Sequence, residues 1–286
     1  MPTGLSLHIG LNSVDPHQYG GWSGNLKGCE NDARDMAAIA DSCGFKHSIL
    51  LTSEATSEAL LTAMDDAALQ LKTGDIFLLT YSGHGGQVDD TNGDEPDGLD
   101  ETWVLFDRQV IDDELFAKYT NFEKGVRIFV LSDSCHSGTV NRALVDEIAQ
   151  VEMRASMRPS VPENYKFMPE DIQFRDGYKR KELYASIQEK AGLSENSHLA
   201  ATVLLISGCQ DSQYSADGAR NGLFTEKLLR VWNHGAFHGG YRKFYDEICK
   251  KMPPSQTPNL SIIGAQDAFK WQTPFTIAEA HAVAAV

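Results

Sequence analysis

Three apolar runs constrain most of what this chain can fold into. "DIFLLTYSG" (75–83), "VRIFVLSDS" (126–134) and "AATVLLISG" (200–208) are nearly continuous, without polar alternation. A strand with one wet face alternates with period two; a continuous run belongs to a strand buried on both faces, as in a parallel sheet covered by helices. The intervening segments supply those helices. "ENDARDMAAIADSCGF" sets Met36, Ala37, Ile39 and Ala40 on one stripe ahead of a Gly44 stop, and "TSEALLTAMDDAALQLKTG" opens on Thr56 as N-cap and stops at Gly74. "GLSLHIGLN" (4–12) and "HSILLT" read as strands, "NGLFTEKLLRVWN" and "YRKFYDEICKKM" as amphipathic helices, and "NLSIIG" as a last strand. Strands alternating with helices predict an α/β fold, a three-layer α/β/α sandwich around a central, mostly parallel sheet with right-handed crossovers. Residues 141–198 break this rhythm. They are rich in charge ("MRPSVPENYKFMPEDIQFRDGYKRKEL") and read as a long linker or insertion with some helix.

Charge and cysteine usage narrow the function classes. The formal net charge of the 286 residues is −15. That disfavours nucleic acid and anionic membranes as partners and favours cations or basic peptides. No apolar run approaches the roughly 20 residues of a membrane-spanning helix. The start, "MPTGLSLHIGLN", has neither a basic leader region nor a long apolar one. Cysteines stand at 29, 43, 135, 209 and 249 with no CxxC pair, the pattern of free thiols in a reducing, cytoplasmic setting.

In open parallel sheets, ligands sit beyond the carboxyl ends of the strands. Three such ends, "YSGHGGQ", "SDSCHSG" and "SGCQDSQ", are polar and rich in small residues. Cys135 lies in the second. A thiol needs a base or a positive neighbour to act as a nucleophile near neutral pH. His136 is adjacent, but successive side chains of extended backbone point to opposite sides. His84, in the first strand end, faces Cys135 across the cleft if the two strands are neighbours. Gly83, Gly85 and Gly86 allow close backbone approach there. The N–H groups of Gly85 and Cys135 are placed to form an oxyanion hole. Taken alone, Cys135 also reads as a small buried hydrophobe; the two motifs together favour the nucleophile.

These motifs resemble the caspase–metacaspase family of cysteine peptidases. "YSGHGGQ" and "DSCHSG" match the metacaspase His and Cys boxes, and "GCENDARDM", "DGLDETWV", "IDDEL", "SGCQDSQYSAD" and "NGLFTEKLL" are further matches. The 51-residue step from His84 to Cys135 is the family's own spacing. The resemblance implies a single caspase-like domain over 1–286, with a large-subunit-like part at about 1–145 and a small-subunit-like part at about 199–280. It implies a Cys135–His84 dyad, His84 acting first as base and then as acid. Metacaspases cut after Arg or Lys, and Asp32 and Asp133 match their acidic pocket positions, with Ser82 and Cys29 lining the same pocket. Each acid also has a plainer reading, Asp32 as a surface helix acid and Asp133 as a loop-ordering one. The expected partners are protein or peptide substrates with basic residues before the cut, and the expected state is a monomer. The alternative is a catalytically silent scaffold of the same fold.

"DDTNGDEPDGLDE" (89–101) holds seven carboxylates but is no EF-hand, because Glu95 stands where the loop needs glycine and strands flank it. The resemblance instead implies a Ca2+ activator at Asp100, Asp112 and Asp113. A fourth acid is expected where this chain has Asn141 and Arg142. A solvated acidic loop explains the same residues. Self-cleavage in 141–198 is a further implication. The basic residues on offer are Arg142, Arg154, Arg158, Lys166, Arg175, Lys179, Arg180 and Lys181, most concentrated in "GYKRKEL".

Overall fold

The structure is a computed structural model that describes residues 1–93, 98–134, 165–195, 199–209, 215–264 and 267–277. Its centre is a six-stranded sheet formed by β1 (Gly4–Gly10), β2 (Lys46–Leu51), β3 (Ile76–Ser82), β7 (Arg127–Asp133), β8 (Thr202–Ser207) and β9 (Asn259–Ile263), ordered β2-β1-β3-β7-β8-β9. All neighbours are parallel except β9, which runs antiparallel to β8. This is the mostly parallel sheet expected from the apolar runs.

Those runs divide by parity. Phe77, Leu79, Tyr81, Ile128 and Val130 point to one face, where they meet α2 (Ser57–Gln70) and α3 (Asp112–Tyr119). Ile76, Leu78, Phe129 and Leu131 point to the other face. There they meet α1 (Cys29–Ser42), α6 (Leu223–Trp232) and α7 (Tyr241–Cys249). Both faces are dry, which is why neither β3 nor β7 shows polar alternation. Thr56 caps α2 as expected, accepting from the Ala59 N–H at 3.2 Å. The helix ends at Gln70, a turn short of Gly74. α1 approaches β1 at Gly10, where a Cβ would stand 2.3 Å from the Cys29 carbonyl oxygen. Only glycine permits that contact, and it brings the first turn of α1 to the end of the sheet.

Two features exceed the sequence reading. A second, antiparallel sheet of β4 (Gly85–Asp89), β5 (Leu99–Val104) and β6 (Gln109–Ile111) begins directly after β3. Within the charged insertion, α4 (Glu170–Lys179) and α5 (Lys181–Glu195) lie across this small sheet and α3. Their anchor is Asp176, which is buried and accepts from Gln109 Nε2 at 2.8 Å and Tyr184 Oη at 2.6 Å.

β1 also buries His8 completely, between the hydroxyls of Thr80 (2.9 Å) and Ser6 (3.0 Å). Burial, with His47 adding to it, lowers His8 from 6.5 to about 3. The unfolded chain therefore takes up this proton first. The stability tied to neutral His8 is complete above 6.5 and is lost as pH falls from there towards 3. The melting temperature is expected to fall between pH 7 and pH 4, and to fall less in His8→Gln, whose amide keeps polar contacts and does not titrate in this range.

Candidate functional site

β3 and β7 are hydrogen-bonded neighbours with Ser82 opposite Asp133, so the two strand ends expected to cooperate do leave the sheet side by side. Cys135 and His136 lie outside the described residues, as do the candidate cut sites Arg142, Arg154 and Arg158.

His84 is held by its backbone, by one ring nitrogen and by an indole against its ring. Its carbonyl accepts from Tyr81 Oη at 2.6 Å and from the Val104 N–H at 3.0 Å. On the ring, Nε2 lies 3.0 Å from the Gly24 carbonyl, so Nε2 carries the hydrogen and Nδ1 is the basic nitrogen. Nδ1 is buried without a hydrogen-bond partner. The Trp22 indole covers the ring at a centroid distance of 4.8 Å. Burial lowers His84 from 6.5 to about 4, with the Gly24 bond pulling the other way and Lys166 adding to the depression. Trp22→Ala is expected to return the His84 titration towards 6.5, read as the midpoint of its ring carbon resonance by NMR. An unchanged midpoint would show that the indole contributes nothing to this desolvation.

Beside this ring is a closed ion cluster. Lys166 is fully buried. Its Nζ stands 3.1 Å from Asp32 Oδ2, 3.0 Å from Asp133 Oδ2 and 2.9 Å from Ser82 Oγ. Both acids are themselves buried, so Asp32 is not the surface helix acid of its plainer reading. Ser82 Oγ donates to Asp32 at 2.7 Å, as do Asn221 Nδ2 and the Gly222 N–H at 3.0 Å. Asp133 accepts from Ser215 Oγ at 2.6 Å and Thr225 Oγ1 at 2.8 Å. Burial, opposed by Lys166 and reinforced by Asp133, pushes Asp32 up to about 6. Burial opposes the Lys166 charge, but Asp133 and Asp32 outweigh it and hold the ammonium above the usual lysine range. A buried cation without such partners would simply lose its proton. Cys29 is buried against the cluster, and burial drives its thiol well above the ordinary range.

Gly222 makes the cluster possible. A Cβ there would lie 2.2 Å from Lys166 Nζ and 2.4 Å from Asp133 Oδ2. Ser215, Asn221, Gly222 and Thr225 do not stand out individually in the sequence, although they fall in "SGCQDSQYSAD" and "NGLFTEKLL". Trp22, Gly24 and the special place of Lys166 have no local signal at all.

The backbone around Lys166 is equally ordered. Its N–H donates to the Ser215 carbonyl at 2.9 Å, and its carbonyl accepts from the Gly85 N–H at 3.0 Å. The Met168 N–H returns to the Gly85 carbonyl at 2.9 Å. The Phe167 backbone lies against the His84 ring. Residues 165–168 thus bridge to Ala216 through Tyr165 and to Gly85 through Phe167, with a bend at Lys166 and its side chain in a two-carboxylate pocket.

The remaining expected sites fall elsewhere. Lys179, Arg180 and Lys181 lie at the junction of α4 and α5, not in an exposed loop. Arg180 pairs with Asp176, donates to Gln18 Oε1 at 2.9 Å and to the Asp107 carbonyl at 2.8 Å, and lies over the Tyr19 ring. Asp100 and Asp113 are buried near α5 and are engaged by amide donors, Gln188 Nε2 on Asp100 and Asn92 Nδ2 on Asp113 at 3.2 Å. Asp112 opens α3. Among the described residues, no three acidic, histidine or cysteine side chains converge closely enough to hold a metal ion. The fourth position expected for calcium, at Asn141 and Arg142, lies outside the described residues. No described helix is long and apolar enough to cross a membrane.

Comparisons with known proteins agree with this frame. A model of the caspase domain matches residues 13–270. Metacaspase-1 of Mycosarcoma maydis is 30% identical over 246 residues, covering 77% of this chain and 59% of that protein. Metacaspase-1 of Saccharomyces cerevisiae is 31% identical over 262 residues, covering 79% and 57%. The chain therefore spans somewhat over half the length of these two relatives. A crystal structure of a Geobacter sulfurreducens protein superposes with a TM-score of 0.83 at 48% identity, covering 97% of this chain and all of the other. Caspase-1 from Spodoptera frugiperda shares the fold, with a TM-score of 0.52 at 11% identity over 98% of this chain and 92% of that one.

Proposed function

The chain belongs to the caspase-domain family of cysteine peptidases, and from that premise we propose that it is an endopeptidase cutting after Lys or Arg, held latent by its own Lys166. The observation that carries this reading is the buried Lys166 ammonium between Asp32 and Asp133, with the Lys166 carbonyl on the Gly85 N–H. A pocket with two carboxylates and three hydroxyl neighbours suits a cation, and arginine suits it doubly because its planar fork can address both acids.

In this reading Cys135 is the nucleophile. His84 takes the thiol proton on Nδ1, since Nε2–H is committed to Gly24. The thiolate attacks the carbonyl of the bound basic residue. The oxyanion accepts from the N–H groups of Gly85 and Cys135. The imidazolium returns its proton to the leaving amine, and a water activated by the same ring hydrolyses the thioester. Residues 165–168 occupy this place in the resting chain, so the chain is its own first substrate and cuts itself between Lys166 and Phe167. No step runs through calcium.

The test is hydrolysis of fluorogenic peptides ending in Arg, Lys or Asp, with calcium or with a chelator, beside Cys135→Ala. Turnover after Arg and Lys, absent in the mutant, supports the assignment. Turnover after Asp would overturn the basic pocket, and no turnover in any condition would favour the silent scaffold. The chelator arm decides whether calcium activates.

A further inference from the structure

The bound segment continues past the lysine, and its next two side chains are also held. Phe167 is 7% exposed and packs against Cys209, at the end of β8. Met168 is fully buried in a cluster with Val14, Tyr19, Val104 and Ile172, against which Trp22 also packs. The Gly85 backbone fixes the register of both, giving its N–H to the Lys166 carbonyl and its carbonyl to the Met168 N–H. Met168 therefore sits in a walled apolar site, and Phe167 is buried with Cys209 as its apolar neighbour.

Most of that lining belongs to the body of the domain. Val14 and Tyr19 lie in the loop after β1, Val104 ends β5, and Cys209 lies just beyond β8. This loop is tied down independently of the bound segment: the Val14 N–H donates to the Ser23 carbonyl at 2.9 Å, and Tyr19 Oη donates to the Leu105 carbonyl at 2.7 Å. Cys209 Sγ is held 3.1 Å from the Ser134 carbonyl. Only Ile172 comes from the insertion and would leave with it. When residues 165–168 depart, two apolar depressions stay behind, open to whatever next enters the cleft.

We propose that this peptidase selects on both sides of the cut, taking Lys or Arg before it, a large apolar or aromatic residue directly after it, and a second apolar residue beyond. The proposal rests on the reading of Lys166 as a bound substrate residue. The physical basis is desolvation: a Phe at the first position and a Met at the second bury their surface against apolar walls already in place, whereas small residues leave those walls wet.

The experiment uses full-length chain, both self-processed wild type and Lys166→Ala. It compares internally quenched peptides with one Lys and identical preceding residues, continued by Phe-Met, Gly-Gly or Ser-Ala. A coumarin amide after the same Lys is run in parallel. The expected result is a kcat/KM for Phe-Met at least roughly tenfold above the other two, the scale of apolar pocket discrimination. Cys209→Leu, which fills the first depression, should narrow that ratio. Coumarin release together with equal rates on all three peptides, within about threefold, would overturn this proposal and leave the basic-pocket reading intact. No release of coumarin and no cleavage of any peptide would overturn both.

Discussion

Incubated at neutral pH, the intact chain is expected to separate into residues 1–166 and 167–286, while Cys135→Ala and Lys166→Met stay whole. Three contacts select that bond. The Lys166 side chain is in the acid pocket, its carbonyl is on the Gly85 N–H, and His84 lies against the Phe167 backbone. Residues 165–168 are not helical and bridge to Gly85 and Ala216 on either side of Lys166. Lys179, Arg180 and Lys181 are in or between helices, and Arg180 is anchored by Asp176 and Gln18. Intact mass spectrometry with N-terminal sequencing decides the matter. A new terminus beginning Phe-Met-Pro-Glu supports the assignment, whereas one beginning within 180–182 would sink it. Lys166→Met should also cost stability, on the order of 3–5 kcal/mol, because it strands two buried carboxylates. The sign with pH is set by Asp32, which is already raised to about 6 with the lysine in place. Without Lys166 the attraction that opposes burial at Asp32 is gone, so folding favours its protonated form still more. Stability is then retained below the carboxylate range and lost as pH rises through the raised value of Asp32. The drop in melting temperature relative to wild type should be larger at pH 8 than at pH 5. An equal drop at both would mean the pocket had opened to water.

Asp133→Asn is expected to reduce kcat/KM for Arg and Lys reporters on the order of 100-fold or more, the scale of truncating one partner of a buried charge pair. The substitution removes the charge and turns an amide donor towards a cation. It also replaces one of two acceptor oxygens, either Oδ1, which Ser215 uses, or Oδ2, which Thr225 and Lys166 share. Asp32→Asn should act in the same direction through the opposite wall. Loss of folding is separated from loss of recognition by the alkylation rate of Cys135, which a folded variant with an intact His84 keeps. Unchanged discrimination between Lys and Asp reporters in both variants would remove these acids from the pocket.

Much of this architecture is legible in the residues themselves. β3, β7 and β8 are recognisable because burial on both faces leaves an uninterrupted apolar run, and Thr56 is recognisable as a cap because its hydroxyl serves a helix three residues away. His84, Asp32 and Asp133 are legible as candidates from strand ends and from motifs within a few residues of each. The small antiparallel sheet is not, since its strands are short and β5 lies in an acid-rich stretch. Nor is the α4–α5 pair, whose charged surface reads like a linker until Asp176 is seen buried beneath it.

Lys166 marks the boundary most clearly. In the sequence it is one of several basic residues in a charged insertion, with nothing local to distinguish it. In the fold it meets Asp32 across a sequence separation of 134 residues, and Gly222 leaves the space for its ammonium. Sequence alone determined the layers, the sheet and the edge at which chemistry gathers, because periodicity records how each residue is shared between core and water. Only the tertiary structure decided which lysine fills the acidic pocket. A charge can be buried only where distant backbone and side-chain groups converge on it, and that convergence leaves no trace in the neighbouring residues.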